Sequence, residues 1–116
     1  MRTYRGIIQQ GSKKASSLGF PTVNVPLTDE KVSGVYAARV FTRDGEYMAA
    51  VFADKDRGLL EAHVLDFPSR KLYGEEVSIE LHKKIRESKK FSDDTILKKA
   101  IEEDIAAVRE YFETHT

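Results

Sequence analysis

The chain has 116 residues, 41% of them hydrophobic and 33% charged, which is typical of one globular domain with a single core. Nineteen basic residues balance nineteen acidic ones, so net charge provides no attraction to nucleic acids or anionic membranes, and the absence of cysteine excludes disulfides and thiolate chemistry. With no apolar N-terminal run and no segment of membrane-spanning length, residues 1–116 are expected to form one monomeric domain in the cytoplasm.

The order of the predicted elements is strands first and a helix last. Alternating or β-rich segments predict five strands: Thr3–Gln10, Gly34–Thr42, Tyr47–Ala53, Leu60–Phe67 and Val77–Ile85. A glycine at position 45 predicts a hairpin turn between the second and third of these. From Ser92 the apolar residues recur every three or four positions, which predicts a helix with Ser92 as its N-cap. We therefore expect a mainly β protein, a small, closed or nearly closed barrel with the helix packed outside it and covering one opening.

Thr22 and Asn24 are candidate ligands of a metal ion. They follow the turn Leu18–Pro21 and lie two positions apart, so both side chains share one face of an extended segment. Neutral, hard oxygen atoms suit a magnesium ion that arrives with nucleotide phosphates. Alternatively, the threonine and asparagine side chains satisfy backbone groups where a turn enters a strand.

Glu61 is a candidate general base, because it is a lone carboxylate at the start of an apolar strand. The alternative is an ordinary surface carboxylate paired with Arg57. His63 lies on the same strand face and is expected to pack or to form a hydrogen bond. A zinc site built from Glu61, His63 and His82 has no diagnostic spacing.

Five short motifs follow one another along the chain, with Asp104 in the helix behind them. They are Leu18-Gly19-Phe20-Pro21-Thr22-Val23-Asn24, Gly34-Val35-Tyr36-Ala37, Glu61-Ala62-His63-Val64-Leu65-Asp66-Phe67, Leu72-Tyr73-Gly74 and Ile85-Arg86-Glu87-Ser88-Lys89-Lys90-Phe91-Ser92. In this order the chain resembles the riboflavin kinases, whose signature is leucine-glycine-(phenylalanine or tryptophan)-proline-threonine-alanine-asparagine. The resemblance covers the chain from Gly6 to the last helix.

The resemblance implies both a fold and a reaction. The fold is a six-stranded antiparallel Greek-key β-barrel with a C-terminal α-helix. The reaction converts riboflavin and ATP to FMN and ADP, with Mg²⁺ bound to the ATP, and it involves neither nucleic acid nor membrane. In many bacteria such a domain follows an adenylyltransferase domain, so this chain is either a stand-alone enzyme or an excised domain.

The resemblance also implies roles for individual residues. The general base is Glu61, and the flavin ring is bound by Arg86 and Phe91, in a loop whose arginine, lysines and aromatic ring could close over a planar flavin. In the alternative for this loop, Phe91 packs at the start of the helix and the lysines are surface charges. Mg²⁺ is held by Thr22 and Asn24. The nucleotide-binding residues are Gly11, Lys13, Lys14, Thr22 and Asn24, the first three through backbone N–H groups and lysine charge.

Two segments depart from the family pattern. Ala15-Ser16 stand where the family has glycine-arginine, and the short charged segment 54–60 replaces a longer flap over the nucleotide. Both departures favour an alternative function, a non-catalytic flavin- or nucleotide-binding module. A third possibility, a small-barrel nucleic-acid binder, would need a basic face with interleaved aromatic residues, and the balanced charge disfavours it.

Overall fold

The structure is a computed structural model that describes residues 2–8, 22–67 and 74–115. Six strands precede one long helix. The strands are β1 (Arg2–Ile7), β2 (Thr22–Pro26), β3 (Gly34–Thr42), β4 (Gly45–Asp54), β5 (Leu59–Val64) and β6 (Glu76–Arg86), and the helix is α1 (Asp94–Thr114). The predicted phosphate-binding residues Gly11, Lys13 and Lys14 lie outside the described residues.

The six strands form one antiparallel sheet in the order β1-β6-β3-β4-β5-β2. Three consecutive strands, β3, β4 and β5, are neighbours, and the next strand, β6, returns to lie beside β3 on the side away from β4. This is the strand order of a Greek key. The predicted antiparallel β fold with a C-terminal helix is therefore confirmed.

The sheet curls around a core made of alternate residues from each strand. The fully buried members of this core include Ala38, Val40, Val51, Leu60 and Ile79. The two edge strands approach each other at Gly6, where an added Cβ would lie 3.1 Å from the Cβ of Val25. Because Gly6 has no side chain, β1 can pass close to β2, and the sheet is nearly closed into a barrel.

Helix α1 packs against the outer face of the sheet, across β3 and β4. Its buried residues Val108 and Phe112 belong to one cluster with Ala37 and Ala50, which are paired across the β3–β4 ladder. The two small side chains leave room for the helix, and the barrel interior is already filled by strand residues. The expectation that the helix packs outside the barrel is confirmed, but the helix lies on the face of β3 and β4, so the expectation that it covers an opening is wrong.

Asp93, rather than Ser92, is the N-cap of α1. Its backbone is extended, and its Oδ1 accepts a hydrogen bond of 2.9 Å from the backbone N–H of Ile96. A carboxylate at this position also interacts favourably with the positive end of the helix dipole. No helix within the described ranges is both long enough and apolar enough to cross a bilayer.

The β3–β4 turn and the end of β5 were both predicted from the sequence. The predicted hairpin glycine is confirmed, because Gly45 has a φ of 154° and opens β4. The strand predicted to reach Phe67 ends at Val64 instead. Asp66 has a φ of 56°, in the left-handed region, and this conformation is incompatible with continued extended backbone.

Candidate active site

A cavity of about 200 Å³ lies between the outer face of the sheet and the N-terminal half of α1. A second cleft, of about 480 Å³, shares Arg86, Lys89, Phe91 and Asp104 with it. Apolar walls with a few converging charged groups are typical of small-molecule sites. The apolar residues of the first cavity are Val35, Ala50, Phe52, Phe91, Leu97 and Ile101.

The cavity contains two carboxylates that are each paired with an arginine. Asp54 accepts a hydrogen bond of 3.0 Å from the guanidinium of Arg57. Asp104 accepts two from Arg86, of 2.8 Å from Nε and 2.7 Å from Nη2. Asp54 also accepts a hydrogen bond of 3.1 Å from the backbone N–H of Arg57, so both oxygens of Asp54 and both of Asp104 already have donors.

Glu61 is the third carboxylate of the cavity, and its hydrogen-bond partner is a histidine. Its Oε1 lies 3.0 Å from Nε2 of His63, and the two residues are 7% and 8% exposed. The expected hydrogen-bonding role of His63 is confirmed. The alternative in which Arg57 pairs with Glu61 is wrong, because Arg57 bonds to Asp54 at the β4–β5 turn.

Thr22 and Asn24 lie beside this pair in the sheet. In the β2–β5 ladder Thr22 is opposite His63 and Asn24 is opposite Glu61. Directly opposite residues of an antiparallel pair share a face, with Cβ atoms about 4.5–5.5 Å apart. Because Val23 belongs to the barrel core, these four side chains are on the outer face.

The amide oxygen of Asn24 lacks a partner among the described residues. Asn24 is 1% exposed, and its Oδ1 receives no hydrogen bond in the described part of the chain. An unsatisfied buried polar group costs about 1–3 kcal/mol. A cation would satisfy this oxygen, so the chemistry of the site fits a ligand such as Mg²⁺, which prefers oxygen donors.

The zinc alternative has no support in the described ranges. His82 lies on β6, where its Nε2 is 2.6 Å from Oε1 of Glu80 and its ring packs 5.2 Å from that of Phe112. In the described ranges no three histidine, aspartate or glutamate side chains are grouped as metal ligands would be. Glu61 and His63 therefore do not share a site with His82.

Arg86 and Phe91 lie on the side of the cavity formed by the end of β6 and the segment before α1. The guanidinium carbon of Arg86 is 5.8 Å from the ring centroid of Phe91. Hydrogen bonding to Asp104 raises the pKa of Arg86 above its ordinary value, although partial burial acts in the opposite direction. Arg86 therefore stays charged at neutral pH, with its guanidinium held in place at the wall of the cavity by Asp104.

Some predicted site residues come together and others lie outside the described ranges. Glu61, Arg86 and Phe91 line one cavity, and Asn24 is the ladder neighbour of Glu61. Sequence reasoning gave no role to Asp104, which anchors Arg86. The signal was present in the sequence, because Asp104 lies three positions after Ile101 and four before Val108, within the apolar stripe of the helix.

A family model and a similar protein both connect this chain with riboflavin kinases. A family model described as Flavokinase, riboflavin kinase, matches residues 2–112. The bifunctional riboflavin kinase/FMN adenylyltransferase of Haemophilus influenzae is 34% identical over an alignment of 116 positions, which covers 92% of this chain and 37% of that protein. The chain thus spans little more than a third of the length of this relative.

Two solved structures share the fold. A crystal structure named as a macrolide-efflux protein of Streptococcus pneumoniae superposes with a TM-score of 0.75 at 27% identity, covering 92% of this chain and 36% of that one. The riboflavin kinase of Trypanosoma brucei superposes with a TM-score of 0.67 at 22% identity, covering 96% of this chain and 79% of that one.

Proposed function

This chain belongs to the flavokinase (riboflavin kinase) family, and from that premise we propose that it transfers the γ-phosphoryl group of ATP to riboflavin, giving FMN and ADP. One observation carries the proposal. Asn24, whose amide oxygen has no donor among the described residues, is paired in the ladder with Glu61, and the Glu61 carboxylate lines an apolar cavity. A cation ligand and a base are thus neighbours at the end of a site that suits a planar ring.

In the proposed reaction Glu61 is the general base. Its carboxylate accepts the proton of the terminal ribityl hydroxyl as that oxygen bonds to the γ-phosphorus of ATP. The bond from the γ-phosphorus to the ADP oxygen breaks, and ADP leaves with the electron pair. Asp54 and Asp104 are less suitable bases, because each is already paired with an arginine.

Thr22 and Asn24 are the proposed ligands of Mg²⁺, which would neutralise charge on the phosphate oxygens when it is bound with ATP. The buried Oδ1 of Asn24 supports this assignment. Thr22 contributes a hydroxyl from the same strand face, one ladder position along. Gly11, Lys13 and Lys14 are proposed to bind the nucleotide phosphates through backbone N–H groups and lysine charge, on the grounds of their sequence alone.

The flavin ring is proposed to bind in the apolar part of the cavity. Phe52, Leu97 and Ile101 provide apolar contacts, and the flat Arg86 guanidinium beside Phe91 provides a cation and a ring. Because Arg86 is already fixed by Asp104, binding costs less conformational entropy at this side chain.

We further propose that the domain acts as a monomer in the cytoplasm. Size-exclusion chromatography with light scattering and fractionation of cells would test these two proposals.

Incubation of the protein with riboflavin and Mg-ATP, followed by chromatographic separation of flavins, tests the function directly. FMN that accumulates only when Mg²⁺ and ATP are both present supports the kinase. Quenching of riboflavin fluorescence without formation of FMN would instead favour the non-catalytic binding module, with the short segment 55–58 between β4 and β5 as its structural reason. Absence of both binding and turnover would contradict both assignments.

A further inference from the structure

His63 and Glu61 form a buried pair whose side chains are hydrogen bonded to each other. They lie two residues apart on β5, so their side chains share one face. Nε2 of His63 is 3.0 Å from Oε1 of Glu61. Among the described residues, no donor bonds to the other carboxylate oxygen, Oε2. Because an ionised carboxylate only accepts hydrogen bonds, the nitrogen facing it must carry the proton.

We propose that His63 is a positioning residue for phosphoryl transfer, an inference that rests on the proposed function. Its Nε2–H donates to Oε1 and fixes the orientation of the Glu61 carboxylate. Oε2 then accepts the proton of the substrate hydroxyl, while the new O–P bond forms and the bond to the ADP oxygen breaks. His63 also lines the cavity, and its proposed role is to act on the Glu61 carboxylate and not on the phosphoryl group.

The neighbouring carboxylates indicate why a histidine suits this position. Asp104 is held by an arginine through both of its oxygens, and Asp54 is held by both the side chain and the backbone N–H of Arg57. A guanidinium at Glu61 would occupy the accepting oxygen and stabilise the ionised carboxylate, which would weaken it as a base. An imidazole N–H occupies one oxygen and leaves the other available. His63 thus provides orientation without blocking the reaction.

The chain contains a matched control pair on another strand. Glu80 and His82 are also two residues apart, their Oε1 and Nε2 atoms are 2.6 Å apart, and they lie on the outer face of β6. Neither lines the cavity that contains Glu61. Because His82 packs against Tyr111 and Phe112, its substitution tests the structural effect of losing a carboxylate–histidine pair without affecting the proposed base.

The kinetic test compares wild type with His63→Ala, His63→Gln, His63→Asn and His82→Gln, each checked for folding by urea denaturation. We expect His63→Ala to lower kcat about 10- to 100-fold because the base loses its orientation, with the riboflavin Kd changed by less than about 2-fold. The glutamine amide nitrogen can reach the position of Nε2, so His63→Gln should regain most of the rate, whereas the shorter His63→Asn should not. His82→Gln should keep the wild-type kcat.

Every outcome bears on the proposal. If wild type forms no FMN, the proposed function fails and the role of His63 fails with it. If wild type is active and His63→Ala is equally fast, or His63→Gln is as slow as His63→Asn, only the positioning role is overturned. Independently of activity, ¹⁵N–¹H correlation spectra of wild type should show the proton of His63 on Nε2, assigned with His63→Gln. A proton carried on Nδ1 alone would overturn the proposal even in an active enzyme.

Discussion

A β-carbon added to Gly34 would lie 2.4 Å from the carbonyl oxygen of Arg86, so the first residue of β3 is in close contact with the backbone at the edge of the cavity. Gly34 also has a φ of 89°, a conformation that residues with side chains rarely adopt. Glycine at this position therefore allows the end of β6 to approach β3 and to bring the guanidinium of Arg86 to Asp104.

The first prediction concerns Gly34→Ala, with Gly74→Ala as its control. Gly74 has a similar φ of 86°, but no atom of the described residues lies within 4 Å of its added Cβ. Gly74→Ala should cost about 1 kcal/mol of unfolding free energy through backbone strain alone. Gly34→Ala should cost more, because the Arg86 backbone must also move, and it should weaken riboflavin binding. Urea denaturation and fluorescence quenching measure the two effects, and equal losses in both variants would contradict the account.

The second prediction concerns Asn24. Asn24→Leu keeps the side-chain volume and removes the buried oxygen that has no donor, so the free energy of unfolding should be unchanged or higher by about 1 kcal/mol. FMN formation should fall at least about 100-fold, because a proposed ligand of the phosphate-bound cation is lost. Thermal denaturation and a turnover assay across a Mg²⁺ series measure these effects. A large loss of stability with normal turnover would assign Asn24 a structural role instead.

The third prediction concerns the Arg86–Asp104 pair. Asp104→Asn leaves a partly buried guanidinium without its charged partner, so the free energy of unfolding should fall by about 1–3 kcal/mol and riboflavin should bind more weakly. Arg109 of the same helix and Asp66 in the turn after β5 form an exposed two-point pair, which offers a control. Asp66→Asn should lower the free energy of unfolding much less than Asp104→Asn does, because exposed pairs contribute little.

The pH dependence of this third effect follows from the direction of the pKa shift. The pKa of Arg86 is raised, so the stabilisation is fully present below its ordinary pKa and is lost only as the pH rises through the raised value. The difference in unfolding free energy between wild type and Asp104→Asn should therefore not decline between about pH 7 and pH 9. Urea denaturation at several pH values checks this, and a loss of the difference within that range would contradict the assignment.

The sequence alone predicts which segments form strands and which forms a helix. It does not predict how these elements pack against one another. Alternation of apolar residues predicts strands, and a three- to four-residue repeat predicts α1, because these periods are local properties. The outer-face position of α1 depends on the pairing of Ala37 with Ala50, which becomes apparent only when the register of β3 and β4 is known. Ser92 and Asp93 are both good N-caps, so propensity could not distinguish them.

The candidate site shows the same division. The motif order pointed to Glu61, Arg86 and Phe91, and the structure places them along one cavity. The pairing of Glu61 with Asn24 joins segments far apart in the chain, and no local pattern predicts such a register. The histidine partner of Glu61 depends on side-chain geometry in the same way, which is why an arginine at position 57 was an equally reasonable expectation.

The central claim is that Glu61 accepts the proton from riboflavin, and single-turnover formation of FMN by Glu61→Gln tests it most directly. General-base assistance typically contributes about 10²- to 10⁴-fold, so the rate should fall by that factor, with riboflavin fluorescence quenching retained. Glu80→Gln, a carboxylate change in the other histidine pair, should leave the rate unchanged. A rate for Glu61→Gln equal to that of wild type would remove Glu61 from the chemistry and contradict the account.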